Sequence, residues 1–195
     1  MVISFNTAGL QQQDSSTWTD PRTGDVAVVK VVEGTPFPVE WLHDQHALRR
    51  GFAGMYAEAG CLIEVDLANL GGVTAVRQLI KVPNNHAQSG QRFLASFTLA
   101  KAPNYAQLMY MAAEHGMSGL REATLMAQLG FDNWVMPHPF DPQLRTKLPF
   151  HRGDDPAFDA QFPDHPLTRV RAWTWNVGRY AVVDPGFAAL PDRWQ

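Results

Sequence analysis

Apolar and polar residues alternate with a period of two through most of the stretch from Leu62 to Ala113, and this pattern predicts the centre of the fold. Strands are expected at Leu62–Leu70, Val73–Val82, Arg92–Leu99 and Tyr105–Ala113. In the first, Ile63, Val65 and Leu67 point one way and Glu64 and Asp66 the other. Gly71-Gly72 supplies a two-residue hairpin turn. Beyond it Val76, Ile80 and Val82 oppose Arg77 and Lys81. Phe93, Ala95, Phe97 and Leu99 share a face of the third strand; in the fourth, Tyr105, Met109 and Met111 oppose Leu108 and Tyr110. Glu64, Asp66, Arg77 and Lys81 read as a solvated face on which neighbouring strands pair opposite charges.

The flanks add shorter elements. Val2–Asn6 reads as a first strand, and Thr17–Thr19 with Val26–Val32 as a hairpin around Asp20-Pro21-Arg22-Thr23-Gly24-Asp25. Within Val39–Gly60 the period lengthens: Trp41, Leu48, Phe52, Met55 and Ala59 form one helical stripe, with Gly60 as its C-cap. Gly51 and Gly54 weaken that helix or let it lie close to the sheet. Ser118 is placed to cap a helix at Leu120–Leu129. From Phe131 to Pro166 prolines recur (Pro137, Pro139, Pro142, Pro149, Pro156, Pro163, Pro166), which predicts an ordered loop across the surface. A last helix follows at Leu167–Val182. The fold class is therefore α+β: one domain over 1–195, an antiparallel sheet of five to six strands flanked by helices.

Composition narrows the function classes. The 195 residues carry a net charge of −3 with no basic run, so nucleic acid and membrane surfaces are not expected partners. A single cysteine, Cys61, allows no intrachain disulfide, and the N-terminus lacks the pattern of a signal peptide. A cytoplasmic protein is expected.

Candidate chemistry is sparse. His138, Asp141, His151, Asp154, Asp155, Asp159, Asp164 and His165 crowd the proline-rich segment and suit a metal-assisted or acid–base site. None has a recognised ligand spacing, and Asp next to Pro or Gly is turn chemistry. His43 and His46 lie on a helix edge without a third ligand, and Cys61 reads as a buried strand residue. A Glu/His pair around Glu114-His115 and Arg121-Glu122 is outweighed by a turn and a capped helix. A cavity lined by Phe93, Phe97, Met109 and Met111 is explained more simply by core packing. No motif calls for a cofactor or a metal. Trp134 and Trp194 fall in loops, and Trp173 and Trp175 on the last helix are two apart, so both cannot face one core. Either one is partly exposed or the loop covers both. Exposed tryptophans anchor binding.

Several stretches carry a resemblance: Ile63-Glu64-Val65, Gly71 to Arg77, Lys81-Val82-Pro83, Glu114 to Ala123 and Phe158 to Arg171. They are similar to a group of small uncharacterised bacterial proteins, and their order resembles the PsbP-like α+β sandwich. The resemblance implies an antiparallel sheet flanked by helices, in a class that includes effector chaperones and other non-catalytic binding proteins. It carries no functional residues with it. The expectation is a non-enzymatic protein-binding module (an adaptor, effector chaperone or immunity-type protein) with a protein partner and a homodimer left open. Its binding residues would be Trp134, Trp173, Trp175, His138 and His165. The alternative is a metal-assisted hydrolase using the segment 138–165.

Overall fold

A computed structural model describes residues 1–132 and 134–193. Strands β1 (Ile3–Ser4), β2 (Gln11–Gln12), β3 (Thr17–Thr19) and β4 (Val26–Glu33) precede helix α1 (Gln45–Tyr56). Strands β5 (Cys61–Leu70), β6 (Val73–Pro83), β7 (Gln91–Ala100) and β8 (Asn104–Ala113) follow, then α2 (Leu120–Leu129), α3 (Pro166–Tyr180), β9 (Val182–Val183) and α4 (Pro185–Ala188). The class is α+β. Among the described residues the main sheet has seven antiparallel strands in the order β2-β3-β4-β8-β7-β6-β5, and β1 pairs with β9. The count exceeds five to six because β2, two residues long and too short to show a period, joins the edge of the sheet.

Both faces of the sheet are covered on its β5–β6 side. Helix α3 lies on one face, where Leu167, Val170 and Val177 meet Leu79, Phe93, Phe97 and Leu108. Helix α1 lies on the other, where Leu48 and Phe52 meet Leu62, Val65, Val76 and Ile80. Phe93 and Phe97 thus face α3, while Met109 and Met111 lie across the sheet, opposite Ser96 and Leu94; the four line no common cavity. A bulge sets the β5 faces: Leu62 pairs with Ile80 and Glu64 with Leu79, which leaves Ile63 extra. Ile63 and Glu64 consequently both face α3, and Val65 joins Leu62 beneath α1. This corrects the expectation that Ile63 and Val65 share a face.

The 39–60 segment is two elements. A 3-10 turn spans Val39–His43, and Asp44 then caps α1 by accepting the His46 N–H at 2.8 Å. Ala53 replaces Met55 and Ala59 on the buried stripe. The helix ends before Gly60, so Gly60 is no C-cap. It lies where the chain crosses β6: an added Cβ would sit 2.0 Å from the Lys81 carbonyl oxygen. At Gly51 a Cβ would meet the Trp41 ring at 2.5 Å, whereas at Gly54 nothing lies within 4 Å. Gly54→Ala is therefore expected to raise stability by about 0.5–1 kcal/mol through helix propensity. Gly60→Ala should lower it well beyond that, since a backbone carbonyl cannot move aside; urea unfolding of both variants checks the contrast.

The last expected helix is shortened: α3 stops at Tyr180, and Val182-Val183 instead reaches back to pair with β1. Asp184 then caps α4, accepting the Phe187 N–H at 2.9 Å. Trp194 lies outside the described residues. No helix among them is long and apolar enough to cross a membrane.

Candidate functional site

The charged face of β5 and β6 is only partly solvated: Asp66 pairs with Arg77 across the strands at 3.5 Å, as expected, but Lys81 is buried. Lys81 extends from β6, paired across the sheet with Phe93 and like it buried, toward α3 and the proline-rich segment. There its ammonium meets Asp154 at 2.6 Å, with both side chains 1% exposed. Asp154 Oδ2 also accepts the His151 N–H at 2.9 Å and lies 3.5 Å from His151 Nδ1. Two arginines enclose this pair. Arg121 of α2, fully buried, donates to Gly153 O (3.0 Å), Asp155 O (3.2 Å), Thr168 Oγ1 (3.0 Å) and Asp159 Oδ1 (2.8 Å). Arg171 of α3 binds Glu64 Oε1 (2.6 Å) and Asp159 (2.9 and 3.1 Å) and donates to the Asp154 carbonyl. Gly153 is required here, since an added Cβ would fall 2.9 Å from the Trp134 ring.

A second cluster sits alongside. Glu114 leaves β8 and accepts the Gln91 N–H at 2.7 Å and the Gly119 N–H at 2.8 Å. It thereby does at the start of α2 what Ser118 was expected to do, while the Ser118 hydroxyl pairs with Ser89 at 2.9 Å. Burial pushes the Glu114 carboxyl up, but hydrogen bonds from His165, Gly119 and Gln91 outweigh it and hold it below the usual range. Glu122, in the first turn of α2, is raised: burial, with the Glu114 charge adding to it, outweighs its own backbone N–H and the nearby His165 and Lys81. His165 caps α3, its Nδ1 accepting the Leu167 N–H at 3.2 Å and its Nε2 lying 3.5 Å from Glu114 Oε1. His151 Nε2 lies 4.0 Å from Glu122 Oε1. Burial lowers His151 to about 4, with Lys81 adding to the shift and Asp154 opposing it.

His151 also lines a cleft of about 600 Å³ between β5, α3 and residues 150–158, together with Ile63, Met136, Phe150, Phe158 and Trp175. A smaller cavity of about 180 Å³ continues it past Ala68 and Asn69 to Gly178 and Arg179, with Arg77 and Trp175 shared by both.

The residues singled out from sequence separate in space. Trp175 is 61% exposed at the cleft, with the Arg77 guanidinium 5.4 Å from its ring centre. Trp173 is turned inward, stacked on Tyr110 at 4.6 Å and edge-on to Phe5. The exposed Trp175 decides between the two expectations for this pair. Trp134 is buried, stacked on His151 at 5.0 Å. His138 is buried, with Nε2 3.1 Å from the Leu62 carbonyl. His151 and His165 flank Glu122, but His138 does not join them among the contacts described. Asp141, Asp155 and Asp164 do turn and cap work: Asp141 accepts from Gln143 N, Asp155 from Ala157 N, and the Asp164 carbonyl from Arg169. Cys61 is buried and its thiol is pushed up to about 11 by desolvation, as suits an inert packing residue.

Sequence reasoning missed Lys81, Asp154, Arg121, Glu114 and Glu122 as a unit. The one signal was Lys81 itself, a lysine directly opposite an apolar position of the next strand. Its meaning depended on knowing which face α3 covers.

No family model matches the chain, and no match to a curated protein was found.

The cluster predicts a pH dependence. His151 titrates near 6.5 when unfolded and near 4 when folded, so as the pH falls the unfolded chain takes up its proton first. Stability is then lost between about pH 6.5 and 4, by about 3 kcal/mol in all. Glu122, raised in the folded state, acts oppositely and gains stability as the pH falls. Urea midpoints at pH 7 and 5 should differ less in His151→Gln and more in Glu122→Gln than in the unsubstituted protein.

Proposed function

We propose that the protein is a non-enzymatic protein-binding module that holds an extended segment of a partner in the groove between β5 and α3. The observation that carries this is the groove's shape: its two cavities run along the terminal strand of the sheet from Ile63 to Asn69. At strand spacing that is roughly 20 Å, the length of a short extended peptide. A terminal strand offers unpaired backbone groups to such a segment, and side-chain pockets beside it give specificity. Trp175 is the exposed aromatic anchor. Arg152 lines one cavity and Arg179 the other, and neither guanidinium has an ion pair among the described residues. An apolar segment with acidic residues toward its ends complements that surface. The PsbP-like resemblance, whose class includes chaperones, supports the reading by analogy, as does the expected cytoplasmic setting.

The test is peptide selection on the folded protein, with counter-selection on Trp175→Ala/Arg152→Glu. Enriched acidic–apolar sequences that bind the double variant at least about tenfold more weakly are expected, since hot-spot truncations cost more than 1–2 kcal/mol. No enrichment, or equal binding to both proteins, would overturn the proposal. Trp175→Ala alone should change stability by about 1 kcal/mol or less, because it removes only an exposed ring and its contact with Arg77.

A further inference from the structure

We infer that Glu114, Glu122 and His165 form a binding site for a single divalent first-row transition cation, such as zinc, with His151 within reach of a fourth position. A ligand atom from each of the three residues lies within 4.8 Å of the others, as a shared cation requires. The three come from different elements: Glu114 from the end of β8, Glu122 from the first turn of α2 and His165 from the cap of α3. Two carboxylates and one or two imidazoles are a donor set for zinc, manganese or iron rather than for calcium or magnesium.

Charge supports the same conclusion. Among the described residues neither Glu114 nor Glu122 is ion-paired to a lysine or arginine; their charged-group neighbours are His165 and His151. Lys81, the nearest buried ammonium in the network, is committed to Asp154. Backbone N–H groups solvate Glu114, but the only ionisable groups beside the two buried carboxylates are imidazoles, and a dication balances such a pair. Independently, Glu122 Oε2 is buried without a hydrogen-bond partner and His165 Nε2 has only the long 3.5 Å approach to Glu114 Oε1, although the two side chains are only 12% and 9% exposed. Buried polar atoms are rarely left in that state.

Loading the site moves a proton. Because His165 Nδ1 accepts the Leu167 N–H, the neutral ring of the free protein carries its hydrogen on Nε2. The cation takes the Nε2 lone pair, the ring's hydrogen moves to Nδ1, and the Leu167 N–H gives up its cap acceptor in the first turn of α3. This gives a signature that adventitious binding to the exposed pair His43 and His46 does not share.

The experiment titrates the full chain with Co(II) and Zn(II). One equivalent of Co(II) should develop the visible absorption of a four- or five-coordinate site, and excess Zn(II) should raise the melting temperature by roughly 5–10 °C. Glu122→Gln should weaken binding at least about tenfold, and His43→Ala/His46→Ala should leave it unchanged. Nitrogen NMR of the unsubstituted protein should show the His165 proton moving from Nε2 to Nδ1 on adding Zn(II), a readout that holds even if Glu122→Gln does not fold. Absence of the absorption band, its persistence in a folded Glu122→Gln protein, its loss in His43→Ala/His46→Ala, or an unmoved His165 proton would overturn the inference.

Discussion

Lys81→Met is expected to destabilise the protein by about 3–5 kcal/mol, enough to lower its melting temperature by roughly 10 °C. Methionine nearly matches lysine in length and shape, so packing changes little. What is lost is, among the described residues, the only lysine or arginine within 4 Å of the Asp154 carboxylate, whose side chain is 1% exposed and whose Oδ1 already lacks a partner. The remaining support is the His151 N–H at 2.9 Å, which does not offset the desolvation of a full charge. Asp154→Asn alone should be costly for the converse reason, since it strands the Lys81 ammonium. The double variant Lys81→Met/Asp154→Asn removes both charges and keeps an acceptor for His151. It should recover most of the loss, to within about 1–2 kcal/mol of the starting protein. Urea unfolding of the four proteins forms the cycle; purely additive losses would show that the pair is not coupled.

The second large effect is expected at Arg121. Its guanidinium joins α2 to residues 153–159 and to α3 through four hydrogen bonds, and its charge shares Asp159 with Arg171. Arg121→Met should cost about 3–4 kcal/mol, because the Gly153 and Asp155 carbonyls lose a buried donor and Asp159 loses one of its two cations. Arg121→Lys should recover less than half of that. An ammonium has three donors at one point and cannot span acceptors spread around a planar fork. Hydrogen exchange should locate the damage: amides in 151–162 lose protection in both variants, while those of β7 and β8 do not. A loss below about 1 kcal/mol in Arg121→Met would mean that water replaces the arginine, and that the segment over the sheet is held by its own turns.

The two variants also show where reading the chain stops. Nothing near Arg121 in sequence marks it as buried. It follows Gly119 and Leu120 at a helix start and looks like an exposed first-turn residue. Its partners lie tens of residues away, in turns whose aspartates have sufficient local reasons to be there. The same is true of Glu114, Glu122 and His165, which three separate elements bring together and which no spacing motif links. For Trp173 and Trp175 the helical period correctly indicated that the two rings diverge. Only the packing of Tyr110 and Phe5 identified Trp173 as the covered one.

The sequence by itself determined the α+β class, the four long strands to within a residue or two, the α2 span and the neighbourhoods of α1 and α3. These rest on periods of two and of 3.6, which are properties of neighbouring residues along a chain. The tertiary structure alone decided which faces are covered. Period-two alternation separates Lys81 and Arg77 from Ile80 and Val82, but it does not say that both sides of β6 lie beneath helices, nor that a one-residue bulge carries Glu64 to Arg171. Whether a charge is solvated, paired or a candidate ligand depends on what removes water from it. In this protein that is done by α3 and residues 134–162, which come from the far end of the chain.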